Sequence, residues 1–266
     1  MKRIEKLFSE KKKNILNIYC TAGFPQLQST VQVLNALQEN GADLIEIGMP
    51  YSDPLADGEV IQASSSVALN NGMTIAKLFE QLKGIRHFSS TPGLGQGGIN
   101  VPLILMGYMN PVMQYGIEKF CADAEAVGID GIILPDLPIY EFETLYKILF
   151  EKHNLNFIFL VTPETSETRI RQIDTLSSGF IYAVSSSATT GNNKPIEAQE
   201  EYFKKLQNMQ LKNPLLVGFG INSKQTFKAA CAYTNGAIIG SAYIKALQNN
   251  TNVAVTTKNF LNNILG

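Results

Sequence analysis

Short apolar runs alternate along this chain with longer stretches in which apolar residues recur every three or four positions. Residues 15–21, 44–48, 101–108, 131–134, 157–161, 180–184, 215–218 and 237–240 read as eight strands. Between them, residues 30–39, 74–84, 117–127, 141–152, 165–176 and 223–232 carry helical spacing, and several close on Gly or Asn-Gly stop signals, as at Asn40-Gly41 and Gly128. Regular strand–helix alternation with short connections predicts a parallel α/β fold. Eight repeats in one chain of 266 residues fit a single-domain (β/α)₈ barrel, the TIM-barrel architecture, better than an open doubly wound sheet. The open sheet stays as the alternative, although its G-x-G-x-x-G turn is missing: TAGFP stands at 21–25 after the first strand. The low-complexity segment TPGLGQGG at 91–98 precedes the third strand, on the side of a barrel that seldom carries chemistry. It reads as a flexible insertion or a partner contact.

One residue breaks the apolar pattern of the second strand. Strands of a parallel sheet are buried on both faces and run almost entirely Val, Ile and Leu, yet Glu46 sits in the middle of 44–48. A buried carboxyl is costly unless it is paired or protonated. It is therefore either half of a structural ion pair or a group with the raised pKa that general acid–base chemistry requires. The following loop adds Asp53 and Asp57. Barrel active sites form at the C-terminal ends of strands. Those ends offer Tyr108 and Asn110 after the third strand, Asp136 after the fourth, and Tyr182 with the Ser/Thr/Gly-rich loop 185–191 after the sixth. Gly218, Gly220 and Asn222 follow the seventh, and Gly240-Ser241 the eighth. Glycine turns after strands seven and eight let backbone N–H groups approach an anion, and a helix starting at Ser241 adds positive potential. Two tight turns would also explain the glycines, but together they favour a phosphate site.

Composition narrows the chemistry. Hydrophobic residues make up 45% of the chain, and a net charge of −1 argues against nucleic acid or an anionic membrane as the main partner. No run approaches the roughly 20 apolar residues of a membrane span. The basic start, Lys2 to Lys13, reads as a solvated first helix rather than a leader. Cys20, Cys121 and Cys231 are widely spaced and read as buried apolar side chains in a reducing compartment, the cytoplasm. His87 and His153 have no metal-ligand or triad spacing, so no metal site is expected, although Glu46, Asp53 and Asp57 could in principle hold Mg²⁺. With no lysine at a strand end, Schiff-base chemistry is disfavoured. Proton transfer by carboxyls on a small phosphorylated substrate remains.

The segment LIEIGMPYSDPLADG at 44–58 closely resembles the signature of the tryptophan synthase alpha chain family. The similarity continues through TAGFP at 21–25, LMGYMNP at 105–111, PDLP at 135–138, TTG at 189–191, GFGI at 218–221 and GS at 240–241, covering nearly the whole chain. The resemblance implies a (β/α)₈ barrel that cleaves indole-3-glycerol phosphate to indole and glyceraldehyde 3-phosphate. Glu46 matches the family's general acid–base, and Asp57 the carboxylate that binds the indole N–H. Tyr182 matches a tyrosine beside the catalytic glutamate, where packing is an equal explanation. Gly191, Gly220, Gly240 and Ser241 match phosphate-binding positions, and Thr190 a loop threonine that reaches the catalytic aspartate. Tyr19, Tyr108, Ile133 and Phe219 match positions lining the indole pocket, and Pro50 and Asp53 match residues near the contact with a beta chain.

The family works as an α2β2 heterotetramer in which pyridoxal phosphate belongs to the beta partner and indole passes to it for condensation with L-serine. No cofactor is expected in this chain. Three positions depart from well-known members: Ser186 stands where an arginine is usual, Ala188 where a glycine follows, and Glu59 replaces a common proline. A stand-alone lyase that releases free indole, and a partner-binding scaffold without chemistry, are the competing functional readings. Intact Glu46 and Asp57 argue against the scaffold.

Overall fold

A computed structural model describes residues 1–87, 98–184, 200–218, 220–248 and 252–266. Nine parallel strands, β1 (Ile15–Thr21), β2 (Leu44–Gly48), β3 (Leu103–Met106), β4 (Gly131–Ile133), β5 (Asn156–Phe157), β6 (Leu160–Val161), β7 (Ile181–Val184), β8 (Leu215–Gly218) and β9 (Gly236–Ile239), run in the order β5-β4-β3-β2-β1-β9-β8-β7-β6. The two ends of that order are pieces of one extended segment. β5 pairs with β4 and β6 with β7. Between them the Ile158 amide donates to Ile132 and the Phe159 carbonyl accepts from Tyr182. The sheet therefore closes into the expected eight-stave barrel, with the fifth stave broken in the middle.

The interruption has a packing cause. Phe157 and Phe159 point outward and stack with Phe142 and Phe150 of the outer layer, with centroids 4.4 to 6.1 Å apart. Ile158 points into the barrel with Leu44, Ile104, Ile133 and Leu216. The pattern is apolar on both faces, which is why it reads as a single run. Elsewhere the strands match the expected runs or begin or end a residue or two from them. β3 is the shortened one, because Pro102 precedes it and Tyr108 caps the next helix.

The outer layer comprises α1 (Arg3–Glu10), α2 (Ser29–Glu39), α3 (Glu59–Asn70), α4 (Ile75–Leu82), α5 (Met109–Tyr115), α6 (Ile117–Ala126), α7 (Ile139–Glu141), α8 (Lys147–Lys152), α9 (Glu167–Leu176), α10 (Glu200–Asn208), α11 (Lys224–Tyr233), α12 (Ser241–Gln248) and α13 (Val253–Leu265). A π-helical turn, Phe142–Tyr146, joins α7 to α8. Side-chain caps fix several starts: Thr74, Ser166, Ser223 and Asn252 each accept an N–H from the first turn.

The first helix departs from the solvated role expected of it. Its Ile4 is fully buried in the barrel's interior cluster, with Leu7 and Phe8 packed against it, so α1 stoppers the N-terminal end. Arg3 secures it through Asp130 at 3.0 Å. Asp130 also pairs with Arg86 at 2.5 Å and accepts the Leu103 amide, while Arg86 donates to the carbonyls of Gly128, Ile99 and Val101. Residues 88–97, containing most of the glycine-rich insertion, lie outside the described residues.

Candidate active site

At the C-terminal ends of the strands a cavity of about 360 Å³ opens, within the range of small-ligand sites. Its floor carries Glu46, Tyr19 and Tyr182, its flank Asp57, and its far wall Gly220, Gly240 and Ser241. Glu46 is 1% exposed, on a strand whose every residue is buried. In register it stands beside Tyr19 on β1 and Ile104 on β3. Burial raises its pKa to about 8. The nearby Asp57 charge adds to the rise, and a hydrogen bond from Asn17 Nδ2 at 3.2 Å opposes it.

Asp57 is oriented by a chain of contacts from neighbouring elements. Burial raises its pKa to about 6, opposed by a hydrogen bond from the Tyr108 hydroxyl. That hydroxyl also accepts the Ala56 amide at 3.1 Å, and its ring packs 5.4 Å from Tyr51, whose hydroxyl accepts from Asn110 at 3.0 Å. Asp136, at the end of the fourth strand, receives the Met109 amide at 3.0 Å and so fixes the start of α5 that carries Tyr108. Between pH 6 and pH 8 the cavity thus holds one ionised and one protonated carboxyl, the division of labour that acid–base catalysis uses.

Two glycines make room for the floor tyrosines. A Cβ at Gly48 would meet the Tyr19 hydroxyl at 1.9 Å, and one at Gly218 would meet that of Tyr182 at 2.2 Å. Each ring therefore lies across the backbone of the adjacent strand, the two burying their faces against glycine. At the opposite wall Gly220 has φ +77°, where glycine is favoured, and Ser241 opens α12, whose first residues, Ser241 and Ala242, line the cavity. Lys245, one turn along α12, lines the same wall.

The expected residues are placed unevenly. Glu46, Asp57, Tyr19, Tyr182, Gly220, Gly240 and Ser241 converge on the one cavity. Tyr108 stands behind Asp57 as its hydrogen-bond donor, and Ile133 is fully buried in the barrel interior below. Pro50 is half-buried and Asp53 exposed at the rim, where Asp53 accepts from Ser52. Thr190, Gly191 and Phe219, with Ser186 and Ala188, lie outside the described residues. Asn17, Gly48 and Lys245 were missed. For Asn17 the signal was present, a polar residue inside an apolar strand, the same anomaly that singled out Glu46.

Among the described residues no group of three His, Cys, Asp or Glu side chains is placed to hold a metal ion. The three cysteines are buried and free, and His153 pairs with Glu125 at 2.8 Å far from the cavity. No helix among the described residues is long and apolar enough to cross a membrane.

Comparison with known proteins agrees with this geometry. The family profile described as tryptophan synthase alpha chain matches residues 5–264. A curated tryptophan synthase alpha chain from Flavobacterium psychrophilum is 52% identical over 251 residues, 94% of this chain and 95% of that one. The crystal structure of tryptophan synthase subunit alpha from Legionella pneumophila str. Paris superposes with a TM-score of 0.85 at 32% identity, covering 99% of this chain and 97% of the other. A chain in the crystal structure of a tryptophan synthase complex from Pyrococcus furiosus does so at 0.82 and 32%, covering 96% and 99%. With its barrel, its paired carboxyls and a match over nearly its full length, the chain belongs to the tryptophan synthase alpha chain family.

Proposed function

We propose that this chain, folded as one barrel domain, cleaves indole-3-glycerol phosphate to indole and glyceraldehyde 3-phosphate, with Glu46 and Asp57 as its catalytic pair. The observation that carries the reading is the pair itself: two carboxyls in one cavity, with pKa values of about 8 and about 6. Protonated Glu46 donates to the ring carbon that bears the glycerol side chain. The charge that develops on the ring is stabilised by anionic Asp57, which accepts the indole N–H. Glu46, now a carboxylate, takes the proton of the adjacent glycerol hydroxyl. The O–H electrons form the aldehyde C=O, the C–C bond breaks, and its electron pair returns to the ring to give neutral indole. Glu46 ends protonated, ready for the next turnover.

Backbone N–H groups at Gly220 and Gly240, the Ser241 hydroxyl and the α12 N-terminus hold the phosphate, joined by Thr190 and Gly191. Tyr19, Tyr182 and Phe219 surround the indole ring, with Tyr108 acting through Asp57 and Ile133 packing the barrel beneath. Pro50 and Asp53, at the rim, face a tryptophan synthase beta chain in an α2β2 assembly. That partner carries pyridoxal phosphate and condenses the transferred indole with L-serine, and the pair works in the cytoplasm.

Indole release from indole-3-glycerol phosphate, measured with and without a beta chain, tests this. The parent chain should release indole and speed up on adding the partner, while Glu46→Gln should bind substrate without cleaving it. Near-parent turnover by Glu46→Gln would end the assignment.

A further inference from the structure

We infer that Asn17 is a positioning residue for Glu46: its carboxamide holds the carboxyl from beneath the cavity and serves both of its protonation states by turning over. This deepens the proposed function and rests on Glu46 being the acid–base group.

Asn17 lies on β1 one inward layer below Tyr19, paired in register with Leu44 on β2 and Ile238 on β9. The interior cluster beneath the cavity is apolar, with Ile15, Leu44, Ile104 and Ile238 among its members. An aliphatic side chain would fill such a site at no desolvation cost, whereas a fully buried amide needs partners. Asn17 has half of what it needs. Nδ2 donates to Glu46 Oε2 at 3.2 Å, and Oδ1 has no hydrogen-bond partner among the described residues.

That imbalance suits a partner that titrates. Nδ2 facing Glu46 complements the carboxylate. Once Glu46 is protonated its O–H needs an acceptor, and a half-turn of the amide presents Oδ1. Asn17 does not line the cavity, so it acts on substrate only through Glu46. The other titratable groups facing Glu46 are Tyr19 and Cys20 on β1, Asp57 beyond β2 and Tyr182 on β7, with Glu59 and Lys245 on the same cavity. Of these, Asp57 opposes ionisation of Glu46, so Asn17 is the neighbour that favours its carboxylate.

The test follows Glu46 itself. In the full chain labelled with ¹³C-carboxyl glutamate, the Glu46 resonance is identified by its loss in Glu46→Gln and titrated by NMR, alongside the pH profile of indole release. Asn17→Val should raise the Glu46 midpoint by about one pH unit, because the hydrogen bond that Asn17 gives the charged carboxylate is stronger than the one it accepts from the protonated acid. The alkaline limb of kcat/KM should rise with it while KM at neutral pH stays put. Asn17→Asp, nearly the same size, should raise the midpoint further by placing a second carboxyl beside the first, and it carries the test if the valine variant does not fold. A Glu46 midpoint unmoved in the folded variants overturns the inference. If Glu46→Gln still cleaves substrate, the proposed function fails instead, and the NMR titration decides the Asn17 contact separately.

Discussion

Replacing Gly48 by alanine probes how tightly the cavity floor is built. The added Cβ would lie 1.9 Å from the Tyr19 hydroxyl oxygen, 2.4 Å from Cζ and 2.7 Å from Cε2. Ordinary contact between such atoms is about 3.5 Å, so ring or strand must retreat by more than a bond length. β2 cannot retreat, because it is paired to β1 and β3 on either side and buried throughout. The ring must therefore shift within the cavity floor it shares with Glu46. Overpacking of this kind costs about 1–3 kcal/mol, a fall of roughly 2–12 °C in Tm for a chain of this size. Urea unfolding with an unchanged m-value, together with indole release, measures both consequences, and Gly48→Ala should lose stability and most of its turnover. The geometry also dictates the rescue. Tyr19→Phe removes only the nearest atom and leaves Cζ at 2.4 Å, so it should recover little, whereas in a Tyr19→Ala background, destabilised in its own right, Gly48→Ala should add almost no further cost. A Gly48→Ala variant as stable and as active as the parent would refute the reasoning, and so would full rescue by Tyr19→Phe.

Two further outcomes follow. Cleavage needs Asp57 ionised and Glu46 protonated, so kcat/KM should rise as pH increases through about 6 and fall as it passes about 8; a profile flat from pH 5 to pH 9 would contradict the assignment. At the barrel's other end, Asp130→Asn leaves the buried Arg86 guanidinium without its counter-charge and should cost about 3–5 kcal/mol in urea unfolding, while the folded fraction keeps near-parent turnover because the network lies far from the cavity; a loss under 1 kcal/mol would show that the ion pair is not needed.

The barrel was legible because buried parallel strands leave an unmistakable trace: the runs at 15–21, 44–48 and 215–218 match β1, β2 and β8 to the residue. Glu46 was legible for the same reason in reverse, as a charge where the environment tolerates none. Helices α3, α5, α10 and α13 were not. Glu59–Asn70 buries Ser64 and Ser65 beside Ile61 and Ala68, so its inner face does not read as apolar, and Glu200–Asn208 has its apolar face in only three residues, Tyr202, Phe203 and Leu206, too short a run to stand out. The stoppering role of α1 was hidden because Ile4, with Leu7 and Phe8 beside it, performs it from a helix whose charged residues read as solvated. The contacts that orient Asp57, from Asp136 through Met109 and Tyr108, join three separate strand ends, and no local pattern announces them. Gly48 reads as an ordinary strand end until the Tyr19 ring is seen lying on it.

The split fifth stave gives the cylinder a seam. Each half grips its neighbour over two residues, whereas β1, diametrically opposite, runs for seven and is bonded along both edges. Thermal breathing of a closed sheet starts where its ladder is shortest, so amide exchange should be fastest around Ile158 and slowest around Ile18. The wall that carries Asn17 and Tyr19, with Glu46 on the adjoining strand, is the rigid side. A thermal opening at the seam therefore leaves the proton-transfer groups where they stand.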